Sequence, residues 1–209
     1  MGNFSSLIVS GRLNSDDISF INGLLLKSKG GKGKIIALDL SNTVIDKSYG
    51  TDEDIDESMF GSTLIKNIIL PKNTRSIGTA AFRNCIQLEA IQIPSKVSYI
   101  GASAFSYCIS LKAITFGGNS LTHIDNWAFS DCPIKSIYIP ASVTQIDWGA
   151  LDCPQLQEVH MLSTTPPTAV DPFYHSPVVN NGTLYVPKGC ATKYWAAPIW
   201  GDFKNIVEE

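Results

Sequence analysis

Charged residues are scarce in this sequence, and neither sign of charge dominates. Asp, Glu, Lys and Arg make up 17 % of the 209 residues, below the roughly 25 % that is usual in globular domains. The formal net charge of −3 leaves no excess of positive charge to hold the phosphates of DNA or RNA. Hydrophobic residues still make up 44 % of the chain, which is enough for a core and excludes a disordered protein.

Long apolar runs are also missing. No stretch approaches the ~18 apolar residues that a membrane helix needs, so we expect no membrane span. The first residues, Met1-Gly2-Asn3-Phe4, have neither the positive start nor the apolar run of a signal peptide. Two explanations stay open: the protein is cytoplasmic, or its start has been trimmed.

Signatures of catalysis and of cofactor binding are absent from the sequence. The Gly-x-Ser-x-Gly turn of serine hydrolases does not occur. Residues 29–34, KGGKGK, lack the Gly-Lys-Ser/Thr end of a phosphate-binding loop. The acidic run at 52–57, DEDIDE, lacks the loop glycine and the closing glutamate of a calcium loop. We therefore predict no catalytic residue, no metal site and no bound cofactor, and we expect that the protein is not an enzyme.

The sequence does contain an internal repeat of 22–24 residues. Isoleucines begin successive copies at Ile55, Ile77, Ile100, Ile124 and Ile146. After the isoleucine, a typical copy has an Ala-Phe pair, a cysteine, a leucine and an Ile-x-Ile-Pro segment, in that order. In the second copy these are Ala81-Phe82, Cys85, Leu88 and Ile91-x-Ile93-Pro94. Five copies at this spacing are not chance.

A unit this short cannot bury its own apolar face, so the copies must stack on one another. The alternation at Ile91 and Ile93 predicts a short strand with one buried face. Pro94 ends that strand because proline cannot extend the hydrogen-bond ladder. The Ala-Phe pair fits a tight or briefly helical turn whose phenyl ring fills the core. We predict an α/β, β-rich, right-handed solenoid whose short strands form a parallel sheet.

The repeats in residues 77–161 resemble the BspA-like leucine-rich repeats of bacterial cell-surface and secreted proteins of the Bacteroides type. Residues 55–76 match more loosely, with Thr63 where the cysteine falls. The last copy has Leu151 in place of the phenylalanine, and its Cys153 comes one position early. The resemblance implies a leucine-rich-repeat solenoid of about five repeats.

Both ends depart from the repeat, as the terminal caps of solenoids do. Ser15 and the acidic residues after it offer a helix start, and the helix is expected to run to about Lys27. Residues 34–41 are expected to form the first strand. The ends also resemble the caps of the family. The resemblance implies one domain over 1–209, with an N-terminal cap at 3–54, repeats at 55–161 and a C-terminal cap at 162–209.

Four of the five cysteines occupy one position of the repeat, namely Cys85, Cys108, Cys132 and Cys153. Their spacing matches no zinc site. Side chains stacked in register point the same way and not towards each other, which disfavours disulfides. We predict free, buried thiols in this column, and packing within the C-terminal cap for Cys190.

The outward positions of the predicted strands are the candidate binding site. Tyr138 and His160 occupy these positions in successive copies, and we expect both side chains to be exposed. An aromatic residue among polar neighbours suits recognition of a protein or a glycan. In leucine-rich repeats such columns lie on the concave sheet face, where partners usually bind. The candidate ligand-binding residues are Gln92, Thr115, Tyr138, His160, Lys112 and Lys135, and the alternative is that they are ordinary solvated residues.

Trp127 and Trp148 lie in successive turns at different offsets from the isoleucine, so at least one should be partly exposed. They could form a second adhesive patch or pack on the convex side of the core.

The resemblance implies a non-enzymatic, adhesin-like module, exposed on the cell surface or secreted, with surface proteins or glycans of a host or of bacteria as partners. We expect a monomer. Two alternatives stay open: a structural spacer without its own ligand, and a carbohydrate-active enzyme. The enzyme would need paired carboxylates facing each other, whereas the alternation places Glu89 and Glu158 on different rows.

Overall fold

The computed structural model describes residues 6–26, 36–46 and 54–209. The KGGKGK segment and the first two residues of the acidic run lie outside this part. The described strands and helices, in chain order, are β1 (Ser6–Leu13), α1 (Ser15–Leu25), β2 (Ala37–Ile45), β3 (Asp54–Ile55), β4 (Asn67–Ile69), β5 (Ser76–Ile77), β6 (Ala90–Ile93), β7 (Tyr99–Ile100), β8 (Ala113–Phe116), β9 (His123–Ile124), β10 (Ser136–Ile139), β11 (Gln145–Ile146), β12 (Glu158–Met161), β13 (Thr168–Ala169), α2 (Val178–Asn181), β14 (Thr183–Val186), α3 (Ala191–Trp195) and β15 (Ile206–Glu208).

Successive coils stack so that their strands run parallel in two rows. The longer strands form the first row, in the hydrogen-bonded groups β1-β2-β4, β6-β8 and β10-β12-β14-β15. Two-residue strands form the second row, a parallel sheet in the order β13-β11-β9-β7-β5-β3. The isoleucines that begin each repeat pair along this second row, for example Ile77 with Ile100. The predicted parallel solenoid is confirmed.

Stacked phenylalanine rings fill the centre of the coils. Phe60, Phe82, Phe105 and Phe129 are fully buried. The ring centroids of neighbouring coils are 5.2–5.4 Å apart. The ring planes of Phe82 and Phe105 are only 3° from parallel. Leu151 is also fully buried in the last copy. The phenylalanine position of the last copy is therefore still a core position, although leucine replaces the phenyl ring.

The repeat cysteines form a second internal column, in which each thiol donates a hydrogen bond to the phenylalanine carbonyl of the preceding coil. Cys85 Sγ lies 3.1 Å from Phe60 O, and the same contact recurs at 3.1–3.2 Å for the other three. Cys153 makes it even though it comes one position early in the chain. Thr63 occupies the cysteine position of the first copy, but its hydroxyl donates to Phe60 O of its own coil, at 2.8 Å. All five cysteines are free and buried, as predicted.

Native protein should not react with a water-soluble disulfide reagent on the time scale of minutes, whereas urea-unfolded protein should titrate five thiols. Reaction requires an exposed thiolate. Burial raises the pKa of Cys153 well above its usual value, and a hydrogen bond with Cys108, followed by burial, raises the pKa of Cys85. Rapid labelling of native protein at one of the four repeat cysteines, located by mass spectrometry, would contradict the buried column.

The N-terminal region differs from the expectation in two ways. Asn14, not Ser15, is the N-cap of α1, because its side chain accepts hydrogen bonds from the backbone N–H groups of Asp16 and Asp17. The Asp17 carboxylate accepts the Asn14 N–H in return, which completes a capping box. The expected strand at 34–41 is described only from Ala37 and extends to Ile45, and the unexpected strand β1 pairs with it in parallel.

At the C-terminal end, large aromatic side chains cover the core. Tyr194, Trp200 and Phe203 are fully or almost fully buried. The Trp200 indole N–H donates to Pro167 O at 2.8 Å, and the Tyr194 hydroxyl donates to Ser163 O, also at 2.8 Å. Among the described helices, none has the length and apolar character needed to cross a membrane.

Candidate functional site

The outward side chains of the first row of strands form one column, which we call the sheet face. Gln92 and Thr115 lie side by side in β6 and β8, and both are exposed. Tyr138, His160 and Tyr185 lie side by side in β10, β12 and β14. The alternation that buries one side chain of each strand and exposes the next is what aligns them, because side chains of a strand point to opposite faces in turn.

Three aromatic rings of the sheet face stack face to face. The ring centroids of Tyr138 and His160 are 4.0 Å apart with an angle of 12° between planes, and those of His160 and Tyr185 are 4.4 Å apart at 5°. Tyr138 ends the stack and is 53 % exposed. One face of the Tyr138 ring stacks on His160, and the other face has no stacked ring among the described residues.

The expectation that His160 is exposed is wrong. Its ring faces outward as the alternation requires, but the two tyrosines cover it and leave 5 % of the residue accessible. Nδ1 lies 2.9 Å from Oε1 of Glu209, and Nε2 lies 3.7 Å from Oε2 of Glu158 without a hydrogen bond. His160 therefore orients its neighbours and offers little surface of its own to a partner.

Lysines line the sheet face one residue before strands β8 and β10. Lys66 and Glu89, in the same positions of earlier copies, form an ion pair with Nζ and Oε1 3.0 Å apart. Lys112 and Lys135 are exposed and have no ion pair among the described residues. Two lysines without an ion pair thus lie on the sheet face near Tyr138, while the carboxylates of Glu158 and Glu209 bring negative charge to the part of the face around His160.

Sequence reasoning missed Tyr185, because the column was followed only through the repeats. The signal was present: Leu184-Tyr185-Val186-Pro187 has the same alternation and closing proline as Ile91-x-Ile93-Pro94. Strand β15 then pairs with β14 and places Val207 beside Tyr185. Glu209 next to His160 could not be predicted, since it reaches the sheet face only through this terminal strand.

The second row of strands brings together a histidine and two carboxylates that the sequence did not reveal. Ligand atoms of His123, Asp125 and Asp147 lie within 4.8 Å of one another and could hold a metal ion. They also bond among themselves and to Tyr99: His123 Nε2 is 2.6 Å from Asp147 Oδ2, and the Tyr99 hydroxyl donates to Asp125. Burial and this carboxylate raise the pKa of Tyr99 to about 12.

The tryptophan turns form a further aromatic cluster. Trp127 and Trp148 contact each other with ring centroids 4.9 Å apart, and Trp148 packs edge-on against Tyr174 at 5.0 Å. Trp148 is exposed and Trp127 is half-buried, so the prediction that at least one is partly exposed is confirmed. The two indoles therefore pack against each other and against Tyr174, and part of their surface stays exposed to solvent.

A family model described as BspA type leucine rich repeat region matches residues 53–176 in six copies. A leucine rich cell surface protein of Faecalibacterium prausnitzii has a similar solved structure, with a TM-score of 0.50 and 18 % identity over 77 % of this chain. The match takes in 53 % of that protein, so the chain spans about half its length. No curated protein matches the sequence.

Two further solved structures align over most of the chain with lower scores. One is a leucine-rich repeat protein of Bacteroides ovatus, with 15 % identity, 89 % of this chain and 68 % of that chain covered, and a TM-score of 0.30. The other is the pneumococcal vaccine antigen PcpA, with 14 % identity, coverage of 88 % and 82 %, and a TM-score of 0.34.

Proposed function

Because the chain belongs to the BspA-type leucine-rich repeat family, we propose that it is a non-enzymatic binding module displayed on a bacterial cell surface or secreted. The description of the Faecalibacterium protein as a cell surface protein supports this location. The module acts in the manner of an adhesin, and its binding site is the sheet face around Tyr138. Its partner is a surface protein.

The observation that carries the proposal is the stack of Tyr138, His160 and Tyr185. Tyrosine is enriched among the residues that dominate binding energy at protein interfaces. Here its ring is already held by a stacked neighbour at 4.0 Å, so little side-chain freedom is lost when a partner docks. A rigid, half-exposed aromatic ring on an open face is suited to recognition of another surface.

The charges around the ring indicate the kind of partner. Lys112 and Lys135 carry positive charges with no ion pair among the described residues, so an acidic patch on the partner would be complementary. Such complementarity raises the rate of association and fixes the orientation of docking. Gln92 and Thr115 lie in register with each other in β6 and β8, and β8 is the strand that packs beside β10, so both residues can add hydrogen bonds at the rim.

Binding of purified protein to an array of host matrix proteins, bacterial surface proteins and glycans tests the proposal. A saturable interaction with an acidic protein should weaken about 30-fold or more in the double variant Tyr138→Ala, Lys112→Ala, because hot-spot residues contribute about 2 kcal/mol or more. Rising salt should weaken it further. The matched control is Phe20→Ala, Lys204→Ala, which removes an exposed aromatic ring and a lysine outside the column.

Each other outcome of the array counts against the sheet face. A protein partner that the double variant still binds with wild-type affinity moves the site elsewhere. Binding to glycans alone removes the protein partner from the proposal. No binding to any member of the array favours a structural spacer.

A further inference from the structure

The turns that follow the two-residue strands of the second row line an open groove that shares no residue with the sheet face. One cavity of about 380 Å³ is bounded by Tyr107, Trp127 and Asp152, among others. A second cavity of about 400 Å³ adjoins it, and the two share Arg83 and Tyr107. Each volume lies in the range of ligand pockets. The groove crosses six successive coils, or about 24 Å at the usual spacing of parallel strands.

The backbone of the turns explains why side chains line this groove. The first four of these turns each hold two residues in the left-handed region four positions apart, such as Ser103 and Tyr107 with φ of 55° and 61°. In the next coil the pair is Trp127 and Asp131, at 57° and 59°. The first position is Ser or Ala in the three earlier coils and Trp127 in the fourth, so the indole forms a wall at the end of a row of small side chains.

Trp127 is held in place by the coil that follows it. Gly149 occupies the corresponding position there, and a Cβ atom at that residue would collide with the indole ring. Glycine therefore lets the indole lie directly on the next turn. Trp148 and Tyr174 pack against the same ring, with centroids 4.9 and 5.9 Å away. The Trp127 side of the groove is therefore preformed in the absence of a ligand.

The polar side chains of the groove are hydrogen-bonding groups of both kinds. Asp152 is buried, and its carboxylate accepts the backbone N–H of His175 at 2.8 Å and lies 3.1 Å from His175 Nδ1. Asp131 is exposed and accepts the Ser130 hydroxyl at 3.1 Å. The Arg83 guanidinium lies 6.0 Å from the Tyr107 ring centroid. The carboxylates accept hydrogen bonds and the guanidinium donates them. A ligand that is rich in hydroxyl groups can use both, because each hydroxyl donates and accepts.

The main-chain groups of the groove are already paired between coils. Ser103 N–H donates to Asn126 O, and Tyr107 N–H donates to Ser130 O. Trp127 N–H donates in turn to Trp148 O at 2.9 Å. Peptides are commonly bound by adding a strand to free backbone groups, and these turn N–H groups are taken. The remaining recognition elements are aromatic faces, hydroxyls and carboxylates.

We propose that this groove binds a neutral oligosaccharide of several units, with the sugar faces packed on Trp127 and Tyr107 and the hydroxyls bonded to Asp131, Asp152 and Arg83. Aromatic rings offer flat apolar faces with polar groups at their edges, as a pyranose ring requires. The two carboxylates disfavour an anionic polymer. The proposal does not depend on the sheet face having a protein partner.

Calorimetric titration with neutral hexasaccharides of glucose, mannose, galactose and N-acetylglucosamine tests the groove, with a hyaluronan hexasaccharide as the anionic comparison. At least one neutral hexasaccharide should bind with a Kd below about 1 mM. Trp127→Ala and Tyr107→Ala should each raise that Kd about tenfold or more. Tyr107 is exposed, so its variant tests the groove even if Trp127→Ala fails to fold.

The controls separate this groove from the sheet face and from general loss of tryptophan. Trp195→Ala removes an exposed indole in α3, and Tyr138→Ala, Lys112→Ala removes the sheet-face site; both should bind the sugar like wild type. The proposal is overturned if no neutral hexasaccharide binds, if only hyaluronan binds, if both groove variants keep wild-type affinity, or if the sheet-face variant loses the sugar as well.

Discussion

Replacing Phe105 with alanine is expected to lower the free energy of unfolding by about 3–5 kcal/mol, the usual cost of deleting a fully buried phenyl ring. Phe105 is the middle of the ring column: its centroid lies 5.2 Å from that of Phe82 and 5.3 Å from that of Phe129. Alanine would leave a cavity between two rings that are held by their own coils. The coils cannot close around it without breaking the strand pairing on both sides.

Urea unfolding of wild type and variant measures this loss, and Phe20→Ala is the matched control. Phe20 lies in α1 and is 69 % exposed, so its removal should change stability by no more than about 0.5 kcal/mol. If Phe105→Ala costs less than about 1 kcal/mol, the ring column does not carry the core. An equal effect of both substitutions would lead to the same conclusion.

The interior of the solenoid was predictable because the same core positions recur in every copy of the repeat. The phenylalanine and cysteine positions recur with fixed offsets from Ile77, Ile100 and Ile124, and stacking turns each offset into a buried column. The thiol-to-carbonyl bonds were not predictable in detail. They depend on which carbonyl of the preceding coil faces each Sγ, and sequence spacing does not encode that direction.

The two ends were harder to predict, since each occurs once in the chain. Strand β1 contains a short apolar run at Leu7-Ile8-Val9 and becomes a strand by pairing with β2, across the intervening helix. A propensity argument sees only the local run and cannot see the partner. The same limit applies to Asn14, which caps α1 although Ser15 is an equally good capping residue by type.

On the sheet face, the direction of the His160 side chain was predicted correctly, but packing between coils gives the residue a different role. Alternation places both Tyr138 and His160 outward, as expected. Exposure, however, depends on the neighbour in the next coil, and Tyr185 was not recognised as that neighbour. With a tyrosine on either side, His160 is covered and stacked. Prediction of one strand at a time gives the direction of a side chain, whereas its accessibility is a property of three adjacent coils.

Trp200→Ala is expected to cost about 3–5 kcal/mol and to unfold the C-terminal cap before the repeats. Trp200 is fully buried, packs edge-on against Phe173 with ring centroids 5.9 Å apart, and donates its indole N–H to Pro167 O. Its removal opens the end of the core to water and leaves that carbonyl without its partner. In a solenoid each coil is stabilised by its neighbours, so the loss should spread inward from the cap.

Hydrogen exchange resolves where the stability is lost, and Trp195, five residues before Trp200 in the same cap, supplies the control. Trp195 is 48 % exposed, and its alanine variant should stay within about 0.5 kcal/mol of wild type. In Trp200→Ala, amides of β14 and β15 should lose protection while those of β5 and β7 keep it, since local opening requires only the cap to separate. Uniform loss of protection along the chain would instead mean that the cap and the repeats unfold as one unit. Unchanged protection in β14 would mean that Trp200 does not hold the cap on the core.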